Sequence, residues 1–217
     1  MENMTKKVEV MEDVYQENDR IAAATNEELS KKGVFVVNVM GAPGAGKTSV
    51  LKNLISRMGG RPSYVIEGDI ESDIDTRDLR GLGIPTEQIN TFGACHLDAP
   101  MIKSAAEGMD FGGGGLLFIE NIGNLVCPAE FNIGEHVKML VCSATEGGDK
   151  PYKYPLAFEK ADVIILNKAD LLPYLDFDEE FFTEGVRRLN KGVPVFKVSC
   201  KTGEGFDEAA RFVAGLV

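Results

Sequence analysis

Short apolar and β-branched runs alternate with amphipathic stretches along the chain. Runs that are apolar on both faces are typical of a parallel sheet covered by helices on both sides. The predicted strands are Val34–Met40, Ser63–Glu67, Leu116–Glu120, Val137–Cys142, Val163–Asn167 and Val195–Ser199. Helices are predicted over residues 47–58, 72–82, 98–109, 155–161, 178–190 and 205–216. The pattern therefore predicts an α/β fold, a doubly wound, mostly parallel sheet with helices on both faces.

An acidic helical segment precedes the first strand. Its pattern predicts a helix over residues 11–32, and Gly33 follows where a glycine commonly ends a helix. No linker divides the rest of the chain, and 217 residues with 44% hydrophobic residues are enough for one buried core. We expect a single domain over residues 1–217, with a helical extension at 1–33 and the core at 34–217.

The chain is acidic, with 34 Asp and Glu against 23 Lys and Arg and a net charge of −11. Such a surface repels a phosphate backbone, so a nucleic-acid partner is not expected. No apolar run approaches the roughly 18 residues that span a bilayer, and the N-terminus lacks the apolar core of a signal peptide. We therefore expect no membrane contact, a cytoplasmic location, and reduced thiols at the four cysteines.

A glycine-rich segment follows the first predicted strand. It reads Gly-Ala-Pro-Gly-Ala-Gly-Lys-Thr from position 41 and fits the phosphate-loop pattern, GxxxxGK followed by Ser or Thr, between a strand and a helix. Lys47 is expected to reach the β- and γ-phosphates, and the Thr48 hydroxyl to bind Mg²⁺. The predicted phosphate contacts are Gly41, Ala42, Pro43, Gly44, Ala45, Gly46, Lys47, Thr48 and Ser49.

Two further segments predict which base the site binds. Asn167, Lys168 and Asp170 end a predicted strand in the sequence NKAD, and the Asp170 carboxylate can accept hydrogen bonds from N1–H and the 2-amino group of guanine. Adenine offers neither donor and would leave a buried carboxylate unpaired. The segment SCKTGEG follows the last strand, and Ser199, Cys200 and Lys201 are expected to close over the base. GTP is therefore preferred over ATP.

Acidic residues end two predicted strands near the expected γ-phosphate. Asp69 and Glu120 can hold Mg²⁺ together with Thr48, because the carboxyl ends of parallel strands line the ligand crevice. Asp75 is the predicted catalytic residue that orients the attacking water beside Lys47, with Asp73 as the alternative. A solvated acid on the first turn of a helix is the competing interpretation of Asp75. No glutamine stands at the water-orienting position, so slow turnover is expected.

Cys95 and His96 adjoin each other, and Cys127 follows in a later loop. Neighbours on a regular strand point to opposite faces, so the first two can share a metal only from a turn. Two thiolates and one imidazole suit Zn²⁺ or Ni²⁺, with a fourth ligand from water or a second subunit. The residues alone leave an alternative, small buried side chains beside a hydrogen-bonded histidine. His136, which precedes a strand, is expected to be solvated.

These motifs together resemble one family. The segments GAPGAGKT, VIEGDIESDID, FGACHLDA, FIENIGNLVCPAEFNIGE, NKAD and SCKTGEG are similar to those of the HypB GTPases, which help insert nickel into NiFe hydrogenase. The resemblance implies a SIMIBI-class P-loop GTPase that uses GTP, GDP and Mg²⁺ and forms a homodimer across its nucleotides. It implies a Ni²⁺ or Zn²⁺ site at that interface on Cys95, His96 and Cys127. The implied partners are a HypA-type metallochaperone and, indirectly, the hydrogenase large subunit. The metallochaperone is expected to dock at the N-terminal helix, and the alternative is that residues 11–32 cover the sheet.

The chain departs from part of that family because it has neither an N-terminal cysteine motif nor a histidine-rich stretch. Tight nickel storage is therefore not expected. Two alternatives stay open. One is a urease-type nickel GTPase, UreG, whose metal motif is typically Cys-Pro-His. The other is a GTP-binding scaffold without significant turnover. The predicted function is a GTP-hydrolysing metallochaperone that couples nucleotide-dependent dimerisation to nickel binding and delivery.

Overall fold

A computed structural model describes residues 2–69 and 74–217 of the chain. Within these residues, seven strands form one sheet in the order β3-β2-β4-β1-β5-β6-β7, and all neighbouring strands are parallel. They are β1 (Val34–Gly41), β2 (Ser63–Asp69), β3 (Thr86–Asn90), β4 (Gly115–Glu120), β5 (Val137–Ser143), β6 (Val163–Asn167) and β7 (Val195–Lys197). The chain fills one side of β1 first and the other side afterwards, so the sheet is doubly wound.

Helices connect the strands and cover both faces of the sheet. In the described part of the chain they are α1 (Glu2–Lys31), α2 (Lys47–Ile55), α3 (Ile74–Gly81), α4 (Ala99–Glu107), α5 (Cys127–Glu130), α6 (Lys150–Lys153), α7 (Pro155–Glu159), α8 (Glu179–Leu189) and α9 (Phe206–Ala214). Two 3₁₀ helices span Ala144–Glu146 and Ala169–Tyr174. The predicted α/β class with a doubly wound parallel sheet is confirmed.

Alternate residues of β4 are buried on opposite faces of the sheet. Leu116 and Phe118 pack with residues of α2, α3 and α9, whereas Leu117 and Ile119 pack with residues of α1 and α4. A third apolar cluster joins β5 and β6 to α7 and α8. Burial on both faces gives the continuous apolar runs from which the strands could be predicted.

The N-terminal helix is longer than the predicted 11–32, because α1 begins at Glu2. One face of it is buried at helical spacing, through Asn18, Ala22, Thr25 and Leu29. Asn18 donates to the carbonyl of Asn132 (2.8 Å) and accepts the N–H of Ala99 (3.0 Å). Gly33 follows with φ of 73°, the left-handed conformation of a helix-ending glycine. The helix is therefore docked on the core by both apolar and polar contacts.

His136 is half-buried, so the expectation that it is solvated was wrong. Its Nδ1 accepts the N–H of Val36 (2.9 Å), and its Nε2 lies 2.9 Å from the Ser30 hydroxyl. The ring also stacks on Phe35, with 4.5 Å between the ring centroids. The end of α1 covers the residue that sequence reasoning left in solvent.

Three strand predictions differ from the structure by more than one residue, and one of these is β2, which ends at Asp69 and not at Glu67. Strand β3 was missed because its sequence, TEQIN, is polar, as an edge strand with partly exposed side chains permits. The last strand ends at Lys197 and not at Ser199, because the Ser199 N–H bonds to the carbonyl of Glu204 within a loop. The first two residues of the helix predicted over 72–82 lie outside the described residues. No helix in the described ranges is both long and apolar enough to cross a membrane.

Candidate functional site

The glycine-rich segment turns between β1 and α2, as the phosphate-loop pattern predicts. Gly44 and Gly46 have φ of 75° and 93°, in the left-handed region that glycine enters readily. A Cβ at Gly46 would lie 2.5 Å from Asn167 Nδ2, so no larger residue fits there. Because α2 begins at Lys47, the N–H groups of its first turn are available to an anion.

A cleft of about 250 Å³ opens in front of this loop. The predicted residues Lys47, Asp69, Asp75 and Glu120 all line it. Burial lowers the pKa of Lys47, and the carboxylates of Glu120 and Asp75 oppose that shift. The cleft therefore holds one ammonium group among several carboxylates, beside the turn that is suited to phosphate.

Glu120 is a buried acid of the cleft. One of its oxygens accepts a hydrogen bond from the Thr48 hydroxyl (2.8 Å), and the other, Oε2, is buried with no partner among the described residues. Burial raises the pKa of Glu120 to about 7, against the opposing effects of Lys47 and Thr48. A buried carboxylate oxygen without a partner, next to a hydroxyl, has the donor chemistry that Mg²⁺ requires.

Glu67 is a cleft residue that sequence reasoning missed. The register of β2 and β4 places it opposite Glu120, and its carboxylate accepts a hydrogen bond from Thr76 on α3. Burial raises the pKa of Glu67. Its signal in the sequence is an acid inside an otherwise apolar strand, as for Glu120. Asp73, the alternative to Asp75, lies outside the described residues.

The two segments predicted to bind the base meet beside the phosphate loop. Asn167 Nδ2 donates to the carbonyl of Ala45 (3.0 Å), and Lys168 Nζ donates to that of Gly44 (2.9 Å). The Asp170 carboxylate accepts the Ser199 hydroxyl (2.6 Å), which fixes its orientation. The N–H of Cys200 points to Asn167 Oδ1 (3.4 Å), whereas Lys201 is exposed in the following turn.

Cys95, His96 and Cys127 form a compact cluster, named here the thiol–imidazole cluster. The two sulfur atoms lie 3.2 Å apart, and Cys95 Sγ lies 3.4 Å from His96 Nδ1. One potential metal-binding atom from each residue lies within 4.8 Å of the others. The sequence alternative of separate, buried side chains does not match this arrangement, since Cys95 is exposed.

Tight turns bring the three residues of the cluster together. Phe92 and Gly93 both have positive φ (49° and 97°), which turns the chain ahead of Cys95. Asp98 then caps α4 by accepting the N–H of Met101 (2.9 Å). Cys127 is the first residue of α5.

The protonation states of the cluster have opposite effects on cation binding. Burial lowers the pKa of His96, which favours the neutral imidazole with a free lone pair. The hydrogen bond with Cys95 and burial raise the pKa of Cys127, against a hydrogen bond from Asn124. A bound cation would therefore displace the proton of the Cys127 thiol. The His96 ring stacks on Phe131 (3.9 Å between centroids), which stacks in turn on Tyr15 of α1 (5.1 Å).

Comparison with known proteins assigns the family. Residues 35–197 match the model of the CobW/HypB/UreG nucleotide-binding domain. The hydrogenase maturation factor HypB of Azotobacter vinelandii is 46% identical over 207 residues, which cover 95% of this chain and 68% of that protein. The chain belongs to the HypB family. Such membership identifies the domain around the phosphate loop as nucleotide-binding.

Solved structures of HypB proteins share the fold. The HypB of Helicobacter pylori, crystallised in complex with nickel, superposes with a TM-score of 0.87 at 36% identity and covers 92% of this chain and 94% of its own. The HypB of Archaeoglobus fulgidus superposes with a TM-score of 0.86 at 37% identity, and the match covers 93% of this chain and 98% of that protein's chain. The family resemblance that the motifs carry is thus confirmed by overall structure.

In this member of the HypB family, the predicted site residues fall into two groups at one end of the sheet. The phosphate loop, the acids and the base-side segments surround the cleft, and the thiol–imidazole cluster lies beyond the end of β4. Sequence reasoning missed the residues between the two groups, above all Asn121 and Asn124. Both belong to the motif FIENIGNLVCPAEFNIGE, but only their tertiary contacts show that they lie between the nucleotide cleft and the thiol–imidazole cluster.

Proposed function

We propose that this chain is a GTP-hydrolysing metallochaperone that couples its nucleotide state and dimerisation to the binding and delivery of nickel during maturation of NiFe hydrogenase. The observation that carries the proposal is the juxtaposition of a phosphate-loop cleft and a thiol–imidazole cluster on successive loops of one HypB-family domain. The relative from Helicobacter pylori was crystallised with nickel. We treat residues 1–217 as a single GTPase domain.

Guanine is the base favoured by the chemistry of the site. Asp170 is oriented by Ser199 and presents a carboxylate to N1–H and the 2-amino group of guanine. Asn167 and Lys168 hold the phosphate loop through the carbonyls of Ala45 and Gly44. Base recognition and phosphate binding would thus share one rigid scaffold, while Cys200 and Lys201 would close over the base with their main chain.

The residues present fit a magnesium ion. Thr48, Glu120 and Asp69 would hold it, and Glu120 Oε2 is a buried oxygen in need of a partner. When bound, the ion would neutralise charge on the β- and γ-phosphates. Lys47 would contact the same phosphates as a cation. Asp75, on the first turn of α3 and on the wall of the cleft, would hold the attacking water by accepting its proton in a hydrogen bond.

Nickel is the proposed cargo of the thiol–imidazole cluster. Two thiolates at about 2.3 Å from a metal lie about 3.3 Å apart at a right angle and about 3.8 Å apart at a tetrahedral angle. The separation of 3.2 Å brings both sulfurs within reach of one metal ion, and imidazole is a donor that suits nickel. Water or a second subunit would supply the remaining ligand. Zinc is the competing cargo.

The exposed position of Cys95 suits exchange of the cargo with other proteins. We propose a homodimer that closes over GTP, a HypA-type metallochaperone as the direct partner, and the hydrogenase large subunit as the final recipient. The contact of α1 with the cluster, through Tyr15 and Phe131, supports docking of the partner at α1. Cargo binding requires reduced thiols, so we place the protein in the cytoplasm.

Two assays test the proposal. Phosphate release from GTP should exceed release from ATP and should be abolished in Lys47→Ala. Ni²⁺ binding should be lost in Cys95→Ala and kept in Cys142→Ala, which removes a buried thiol outside the cluster. Release no faster than that of Lys47→Ala would make the protein a GTP-binding scaffold. Equal Ni²⁺ binding by the two cysteine variants would show that the thiol–imidazole cluster is not the nickel site.

A further inference from the structure

A short loop, residues 121–124, lies between the phosphate loop and the thiol–imidazole cluster. Its last residue, Asn124, donates its N–H to the carbonyl of Gly41, at 3.0 Å. A Cβ at Gly123 would lie 2.9 Å from the ring of Pro43, so the two loops are in direct contact. The 121–124 loop therefore rests on the first residues of the phosphate loop.

The side chain of Asn124 contacts both halves of the cluster. Its Nδ2 donates to the carbonyl of Cys95 at 3.2 Å. Its Oδ1 accepts the N–H of Val126 at 2.9 Å, a turn that leads the chain into α5 and thus to Cys127. A displacement of Asn124 would therefore act on both sulfur positions.

Asn121 fixes the opposite end of the loop. It is 1% exposed, and its Oδ1 accepts the N–H groups of Leu97 (3.1 Å) and Ile122 (2.9 Å). Its Nδ2 donates to Asn38 Oδ1 on β1 (3.2 Å). Loss of a partner by a buried amide is costly, so this end of the loop is held rigidly at the end of β4. The Asn124 end, by contrast, is bonded directly to Gly41 of the phosphate loop.

We propose that Asn124 is a positioning residue that couples the nucleotide state of the phosphate loop to the cargo affinity of the thiol–imidazole cluster. This inference rests on the proposed function. The main-chain N–H of Asn124 is bonded to the carbonyl of Gly41, and the side chain of Asn124 sets the position of Cys95 relative to Cys127. A change in the contacts of Gly41 and Pro43 between nucleotide states would thereby be transmitted to the arrangement of the two sulfurs.

The test uses Asn124→Ser, with Asn132→Ser as the matched control. Serine keeps an acceptor for the N–H of Val126 and lacks the amide group that donates to the carbonyl of Cys95. Asn132 makes the same kind of turn, since its Oδ1 accepts the N–H of Gly134 (3.0 Å), but it is exposed and lies away from the cleft. Each protein is titrated with Ni²⁺ in its GDP state and with a non-hydrolysable GTP analogue. Asn124→Asp, which lacks the same donor, replaces the serine variant if that fails to fold.

The readout is the ratio of the two Ni²⁺ dissociation constants. Coupled sites typically differ by 5-fold or more, so we expect at least about a 5-fold ratio in the wild type and in Asn132→Ser. In Asn124→Ser the ratio should fall to within about 2-fold of one, with nucleotide affinity kept, because coupling alone is lost. A ratio unchanged in Asn124→Ser overturns the inference, even if nickel binds more weakly in both states. A wild-type ratio of one overturns the proposed coupling as well.

Discussion

Replacing Glu120 by glutamine isolates the energetic consequence of a buried acid in the nucleotide cleft. The side chain is 6% exposed, one oxygen accepts the Thr48 hydroxyl, and the other has no partner among the described residues. Glutamine has almost the same shape and keeps an acceptor for Thr48, but it cannot ionise. The variant therefore removes a titration from the cleft with little change in packing.

The size of the effect follows from the pKa. Burial raises the pKa of Glu120 from 4.5 to about 7, which corresponds to about 3 kcal/mol at 1.36 kcal/mol per unit. A raised pKa means that the folded state prefers the protonated form. The protonated form of Glu120 therefore stabilises the folded state, fully below pH 4.5, and this stabilisation is lost as the pH rises through 7. Between pH 4 and pH 8, Glu120→Gln should thus gain about 3 kcal/mol of unfolding free energy relative to the wild type.

Urea unfolding at several pH values between 4 and 8, without nucleotide and with EDTA, measures this change. Because the prediction concerns how the difference varies with pH, any constant contribution of the glutamine amide cancels. Glu208→Gln, at an exposed position of α9, is the matched control and should show no such variation. Stability curves of Glu120→Gln and the wild type that run parallel across the whole range would refute the reasoning.

Three further changes have defined outcomes. Asp170→Asn should weaken GTP binding by about 100-fold, because hydrogen bonds to a charged group contribute about 1.5–3 kcal/mol each. The same variant should bind xanthosine triphosphate better than the wild type does in competition assays. An unchanged base preference would argue against the role of Asp170 in guanine recognition. Burial lowers the pKa of His136, so the folded state disfavours the protonated ring. The thermal midpoint of unfolding of the wild type should therefore decrease as the pH is lowered below 6.5, and that of His136→Gln should decrease less. Parallel melting curves would disprove that. Phe131→Leu, which removes the ring stacked on His96, should weaken Ni²⁺ binding several-fold in titrations; unaltered affinity would show the stack to be dispensable.

Local motifs and doubly buried strands are the parts of this molecule that could be predicted. The phosphate loop is specified by residues within one turn, because Gly44 and Gly46 need positive φ and Lys47 begins the next helix. Strands such as β4 are apolar on both faces and therefore carry a continuous signal. For Cys95, His96 and Cys127, the residues alone left a metal site and a structural role open, and the family resemblance decided for the metal site.

Features that depend on tertiary contacts could not be predicted in the same way. Glu67 matters because the register of β2 and β4 sets it opposite Glu120, and register is not visible in either strand alone. The role of Asn124 depends on Gly41 and Cys95, which are far from it in sequence. His136 is covered by α1, so its burial depends on how a distant helix docks.

Titration of Ni²⁺ into the wild-type protein, with GDP or a non-hydrolysable GTP analogue bound and the molecular mass followed by light scattering, tests the central claim most directly. The account predicts at least about a 5-fold difference in nickel affinity between the two states, and a mass that doubles with the GTP analogue. Equal nickel affinity in both states, with the same mass throughout, would contradict it.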